Sequence, residues 1–177
     1  MSKIYTLNNS LFFILLLIFI GAFFTCTAEE NLAGEIKSTA LIPAKVIDGD
    51  SLEIGNHRIR LMGIDAPEYV QTCKDNHKKI YPCGIISAKY LKELIKDKPL
   101  TCRVHKKDQY ERDLCTCYVG DKDINREMIL SGNAITYLET PYHREQAEAK
   151  QHKRGLWQGR FMQPRLFRRL KEQQKLN

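Results

Sequence analysis

Four carboxylates stand at the two ends of one short stretch of the chain, and two arginines lie in its second arm. In VIDGDSLEIGNHRIRLMGIDAPE, residues 46–68, Asp48 and Asp50 open the segment, Asp65 and Glu68 close it, and Arg58 and Arg60 lie in its second arm. The alternation between them is that of a β-hairpin. Leu52 and Ile54 share one side of the first strand, Gly55-Asn56 supplies the turn, and Ile59 and Leu61 share one side of the second. Arg58 and Arg60 therefore face away from Ile59 and Leu61. A hairpin that returns from Asp50 to Asp65 brings two hard oxygen ligands together, and a main-chain carbonyl beside them would add a third. Such a set suits Ca²⁺ or Mg²⁺ rather than zinc. Glu68, three residues past Asp65 and held by Pro67, is placed to orient or deprotonate a water. Arg60 and Arg112 offer forked donors for phosphate oxygens. Taken singly, each acid could be a turn residue and each arginine a surface ion-pair partner; taken as a set they suggest phosphate chemistry on a cation.

The elements that must hold this set follow along the chain. A polar stretch from Tyr69 to Cys83 reads as a loop. Ile86, Tyr90, Leu91, Leu94 and Ile95 then recur at helical spacing until Pro99. Leu100–Val104 and Leu114–Val119 read as two strands around the charged connection KKDQYERD. Asp123 caps a short helix through Met128 and Ile129 that ends near Gly132. A further helix opens with Thr140 and Pro141 and stops at Gly155, after which Leu156 and Trp157 pack back. Pro164–Lys175 reads as a basic amphipathic helix with Leu166, Phe167 and Leu170 on one side. Strands, a helix, two strands and more helices suit a small antiparallel β-barrel with helices packed on it.

The N-terminus is set apart from this pattern. Lys3, the unbroken apolar run Leu11–Phe24 and Cys26-Thr27-Ala28 have the order of a secretory signal cut after Ala28, residues 1–28. The apolar run is shorter than the roughly 20 residues of a spanning helix. An uncleaved segment or a lipidated Cys26 would instead tie the protein to a membrane. Residues 29–40 lack periodicity and read as a flexible linker, followed by the domain at 41–160 and a basic extension at 161–177. The expected location is therefore secreted or periplasmic. Cleavage would remove one of the 28 basic residues and none of the 21 acidic ones, so the chain stays basic. From Lys150 onward nine Lys or Arg face only Glu172, a bias that meets phosphate backbones or anionic lipid. No cysteine spacing matches a zinc site, and export makes disulfides possible.

The motifs VIDGDS, RIRLMGIDAPE, DQYERDL and AEAKQHKRGLW, in this order over residues 41–160, resemble the thermonuclease family, the staphylococcal-nuclease-like domains. The resemblance implies a five-stranded OB-fold barrel with packed helices and a Ca²⁺-dependent phosphodiesterase acting on DNA and RNA. By the same resemblance Asp50, Asp65 and the carbonyl of Ala66 hold the ion, Glu68 works on the attacking water, and Arg60 and Arg112 bind the phosphate and stabilise its transition state. Tyr110 matches an aromatic at the nucleotide pocket. Glu111 departs from the pattern, since the family usually has Gly between Tyr and Arg; it is expected to strain a turn and to compete with phosphate for Arg112. Rival expectations are an OB-fold module that binds nucleic acid without cleaving it and an envelope-anchored interaction protein using the basic tail. Nothing in the residues names a protein partner, and a monomer is expected.

Without Cys26 five thiols remain. Cys73 and Cys83 flank the polar loop and are expected to bridge it. Cys115 and Cys117 share one face of a strand opposite Cys102, so that only one can pair with it. Spacing leaves both open; resemblance to exported relatives favours Cys102 with Cys117, leaving Cys115 a buried free thiol.

Overall fold

The apolar alternation at residues 51–61 folds into the central hairpin of a curled sheet. The computed structural model describes residues 34–176, which fall within one compact unit; the expected signal segment and Cys26 lie outside the described residues. The strands are β1 (Glu35–Lys37), β2 (Ala44–Val46), β3 (Ser51–Ile54), β4 (His57–Leu61), β5 (Ile64–Asp65), β6 (Cys73–Lys74), β7 (Ile80–Tyr81), β8 (Thr101–Lys107), β9 (Asp113–Val119), β10 (Lys122–Asp123) and β11 (Ile135–Thr136). The helices are α1 (Cys83–Ile95), α2 (Ile124–Leu130), α3 (His143–Gln151) and α4 (Pro164–Leu176), with a 3₁₀ turn at Gly155–Gln158. The main sheet runs β1-β8-β9-β4-β3-β2, with β10 added to β9. Only β4 and β9 pair in parallel within it. The fold is thus mainly β with helices, of the staphylococcal-nuclease OB type; the sheet curls into a half-barrel whose edges are β1 and β2, and α1 packs against β2.

Leu52, Ile54, Ile59 and Leu61 are buried together with Leu91 and Ile95 of α1 and Ile124, Met128 and Ile129 of α2. Each such side chain contributes about 1.5–3 kcal/mol by leaving water. Asn125 sits wholly buried among them because its amide is satisfied on every side. Its Oδ1 accepts the Cys117 N–H at 3.1 Å, and its Nδ2 donates to the carbonyls of Met62 and Cys115, each at 3.0 Å. This clamp ties α2 to β9 and to the end of β4.

Ahead of the last helix the structure departs from the sequence reading in four places. The described part of the 29–40 segment is not a free linker: Glu35–Lys37 pair with Thr101–Arg103 of β8 and bury Ile36. The Tyr69–Cys83 loop contains the miniature hairpin β6–β7. On α1 Ile86 is exposed, and Cys83, Gly84, Ser87, Ala88, Leu91 and Ile95 form the inner face. Helix α3 begins at His143, with the Thr140 hydroxyl accepting the Tyr142 N–H at 3.3 Å, and ends at Gln151 rather than Gly155. The Asp123 cap is present, its carboxylate accepting the Arg126 N–H at 2.9 Å. Among the described residues two disulfides, Cys73–Cys83 and Cys102–Cys117, staple the loop and the β8–β9 ladder, and Cys115 is unbridged and buried. Register decides the second: Cys102 stands opposite Cys117, whereas Cys115 stands opposite Val104.

Candidate functional site

Asp50 enters the site at the start of β3 because Gly49 lets the chain pass against its neighbours: a Cβ there would strike Ser87 and Ala66. Asp65 comes from β5, whose pairing with Ile135 of β11 holds its backbone. Arg60 rises from β4 between them. Both carboxylates are about 1% exposed, and a single guanidinium bridges them, Nη1 donating to Asp50 Oδ1 at 2.6 Å and Nη2 to Asp65 Oδ1 at 2.8 Å. The Ala66 N–H donates to Asp50 Oδ2 at 2.7 Å, which sets its main chain against the same carboxylate. Ser51 Oγ donates to Asp50 Oδ1 at 2.9 Å.

Glu68 follows on a turn that is clamped from two directions. Gln71, buried, accepts the Glu68 N–H at 3.3 Å through its side chain and donates to the carbonyl of Met162 at 2.7 Å. The N-terminus of α1 presses on the turn at Gly84, where a Cβ would collide with the Glu68 carbonyl. From the far end of the chain Arg168 of α4 reaches Glu68 Oε1 with Nη1 and Asp65 Oδ1 with Nη2, each at 2.8 Å. The Arg165 N–H donates to Asp65 Oδ2 at 3.1 Å. Asp50, Asp65, Glu68, Arg60 and Arg168 form one ion-pair network.

The electrostatics are those of crowded acids. Asp48, whose side chain accepts the Asp50 N–H at 3.0 Å, is pushed up to about 7 by burial and then by the Asp50 charge. Burial, and again the Asp50 charge, raise Asp65 against the pull of its two arginines. Burial opposes the charges of Arg60 and Arg168, but their carboxylate partners outweigh it and raise both. Among the described residues no three His, Cys, Asp or Glu side chains gather as a ready-made metal cluster. The donors are two buried carboxylates, one guanidinium's span apart, with a main chain beside them. An all-oxygen set with surplus negative charge fits a hard divalent cation.

Arg112 and Tyr110 make no hydrogen bond to this network among the described residues. Arg112 gives Nε and Nη2 to Asp108 Oδ2 at 2.8 and 2.7 Å and lies 5.5 Å from the centre of the exposed Tyr110 ring. Burial works the other way, yet the N–H groups of Arg112 and Tyr110 and the Arg112 guanidinium hold Asp108 below the usual carboxylate range. Glu111 takes φ +60°, the left-handed conformation expected at a glycine position. Its carboxylate is directed to Lys107 at 3.6 Å, so the competitor for Arg112 is Asp108 and not Glu111.

Sequence reasoning missed Arg168, Arg165 and Gln71. The apolar spacing of the last helix pointed to Leu166, Phe167 and Leu170 as its inner side, but Leu166 and Leu170 are exposed and the inner side carries Pro164, Phe167 and Arg168. A basic helix beside four acids was the available signal.

A family model described as Staphylococcal nuclease homologue matches residues 58–159. Among curated relatives, the succinoglycan biosynthesis protein ExoI of Rhizobium meliloti is 40% identical over 119 residues, 64% of this chain and 62% of its own length. A probable endonuclease, lcl3, of Botryotinia fuckeliana is 28% identical over 130 residues, 66% of this chain and 48% of its own. An uncharacterized endonuclease of Escherichia coli O157:H7 is 35% identical over 124 residues, 64% of this chain and 73% of its own. The chain thus spans from about half to three-quarters of the length of these relatives. With more than half of its residues matched and the expected fold in place, the chain belongs to the staphylococcal nuclease homologue family.

Proposed function

We propose that the protein is an exported, Ca²⁺-dependent nuclease that hydrolyses phosphodiester bonds of DNA and RNA with little sequence preference. The observation that carries this reading is the pair of buried carboxylates, Asp50 and Asp65, bridged by Arg60 and joined through Arg168 to Glu68. Membership of the nuclease family and relatives named endonucleases support it. Ca²⁺ held by Asp50, Asp65 and the Ala66 carbonyl would supply positive charge for the phosphate. Glu68 takes a proton from the attacking water as its oxygen bonds to phosphorus, the bond to the 5′ oxygen breaks, that oxygen is protonated from solvent, and a 3′-phosphate end remains. Arg60 and Arg112 serve as fixed positive charge for the pentacoordinate state. Contacts to phosphate position a strand without reading its bases. The two disulfides support an oxidising compartment.

A second reading, a module that binds nucleic acid without cleaving it, is favoured by one observation: Arg112 is held by Asp108 within its own loop. Cleavage by the wild type in Ca²⁺ and in chelator separates the two, and Asp50→Ala tests the ion site. It removes a charged ligand, so cleavage of single-stranded DNA at limiting Ca²⁺ is expected to vanish while the circular dichroism of the fold persists. Wild-type cleavage rates in that variant would refute the assignment.

A further inference from the structure

Asp65 has no lone pair to spare on one of its oxygens. Its Oδ1 accepts from both Arg60 and Arg168, and a carboxylate oxygen offers about two lone pairs. Its Oδ2 already accepts the Arg165 N–H. Asp50 is similarly engaged, Oδ1 by Arg60 and Ser51 and Oδ2 by Ala66. A cation can reach Oδ1 of Asp65 only when one guanidinium withdraws.

The two arginines are not equally easy to release. Arg60 is anchored in the sheet, bridges two buried acids and has a side chain only 11% exposed. Arg168 has a side chain 30% exposed and comes from a peripheral helix most of whose side chains face solvent. What holds α4 is a short set of contacts: Arg168 on Asp65 and Glu68, the Arg165 N–H on Asp65, half-buried Phe167, buried Pro164, and the Gln71 amide on the Met162 carbonyl just before it. Elements held by few buried contacts are the first to open.

Resting on the cation-dependent reading above, we propose that α4 is a built-in competitor for the divalent cation, with the Arg168 guanidinium occupying Asp65 and Glu68 until the cation takes its place. The arginine keeps Asp65 and Glu68 paired in the resting protein. It also sets the cation concentration at which Asp65 and Glu68 become available. The basic extension is thereby a working part of the site.

The test is Ca²⁺ titration by calorimetry into the protein as wild type, Arg168→Ala, Arg168→Lys and Asp65→Ala, with circular dichroism to verify folding. A partly exposed, doubly hydrogen-bonded charge offsets cation binding by roughly tenfold. Arg168→Ala is expected to bind Ca²⁺ about tenfold more tightly than wild type, and Arg168→Lys, which keeps charge without the fork, to fall between. In wild type, Ca²⁺ is expected to speed hydrogen exchange of the α4 amides. Equal or weaker Ca²⁺ binding by Arg168→Ala, with binding still lost in Asp65→Ala, overturns the competitor and leaves the cation site standing. Unchanged binding in Asp65→Ala overturns the cation site itself, and the competitor with it.

Discussion

Replacing Glu111 by Gly is expected to stabilise the protein slightly and to leave catalysis intact or improved. Glu111 sits at φ +60°, and an L side chain in that region costs about 1–2 kcal/mol. Glycine removes that cost but loses about 0.5–1 kcal/mol more backbone entropy on folding. The Lys107–Glu111 pair is lost too, yet its side chains are 57% and 81% exposed, so it contributes close to nothing. The net gain is about 0–1.5 kcal/mol, or up to roughly 6 °C in Tm for a chain of this size. The turn itself persists, because Asp108 still accepts the N–H groups of Tyr110 and Arg112. Differential scanning calorimetry reads the stability, and initial rates on single-stranded DNA read the function. A Tm lowered by more than about 2 °C would refute the strain argument, and a large loss of turnover at unchanged Tm would give Glu111 a role of its own.

Gly84→Ala tests the seating of Glu68: its Cβ would collide with the Glu68 carbonyl, so a loss of about 1–3 kcal/mol and slower cleavage are expected in chemical denaturation and rate assays, whereas full stability would show the turn is not wedged there. Burial, and then the Asp113 charge, push the free Cys115 thiol up from 9.0 to about 12. The unfolded thiol ionises first, so stability from this group is complete below pH 9 and is lost as pH rises toward 12, by about 1 kcal/mol between pH 9 and 10. Cys115→Ala should flatten that slope in urea titrations; an unaltered slope would assign alkaline sensitivity elsewhere.

The central hairpin was legible in the sequence because its turn is local and one face is uniformly apolar, which leaves one register for Leu52, Ile54, Ile59 and Leu61. The Asp123 cap and the first disulfide were legible for the same reason, each depending on residues close in the chain. Strand β1 was not: three residues with one buried side chain, Ile36, carry too little period, and their partners on β8 lie more than sixty positions away. The miniature hairpin β6–β7 is two residues per strand and is secured by a disulfide and by main-chain bonds between Lys74 and Arg160. Spacing placed Asp50 and Asp65 at the two ends of one hairpin, where Arg60 bridges them in the structure. It could not place Arg168, because helical periodicity ranks Leu166 and Leu170 as the inward residues, whereas the two carboxylates that attract Arg168 are about a hundred positions away. A charged partner supplied by another element leaves no trace in the local pattern of a helix.

The central claim is cation-dependent phosphodiester hydrolysis with Glu68 as the base, and the most direct measurement is the rate at which the purified protein cleaves a labelled single-stranded DNA in Ca²⁺ and in chelator, beside Glu68→Gln in Ca²⁺. The account predicts cleavage to 3′-phosphate ends in Ca²⁺, none in chelator, and turnover about 10²- to 10⁴-fold lower in Glu68→Gln with DNA affinity little altered. Cleavage that persists in chelator, or a Glu68→Gln variant that turns over at the wild-type rate, would contradict it.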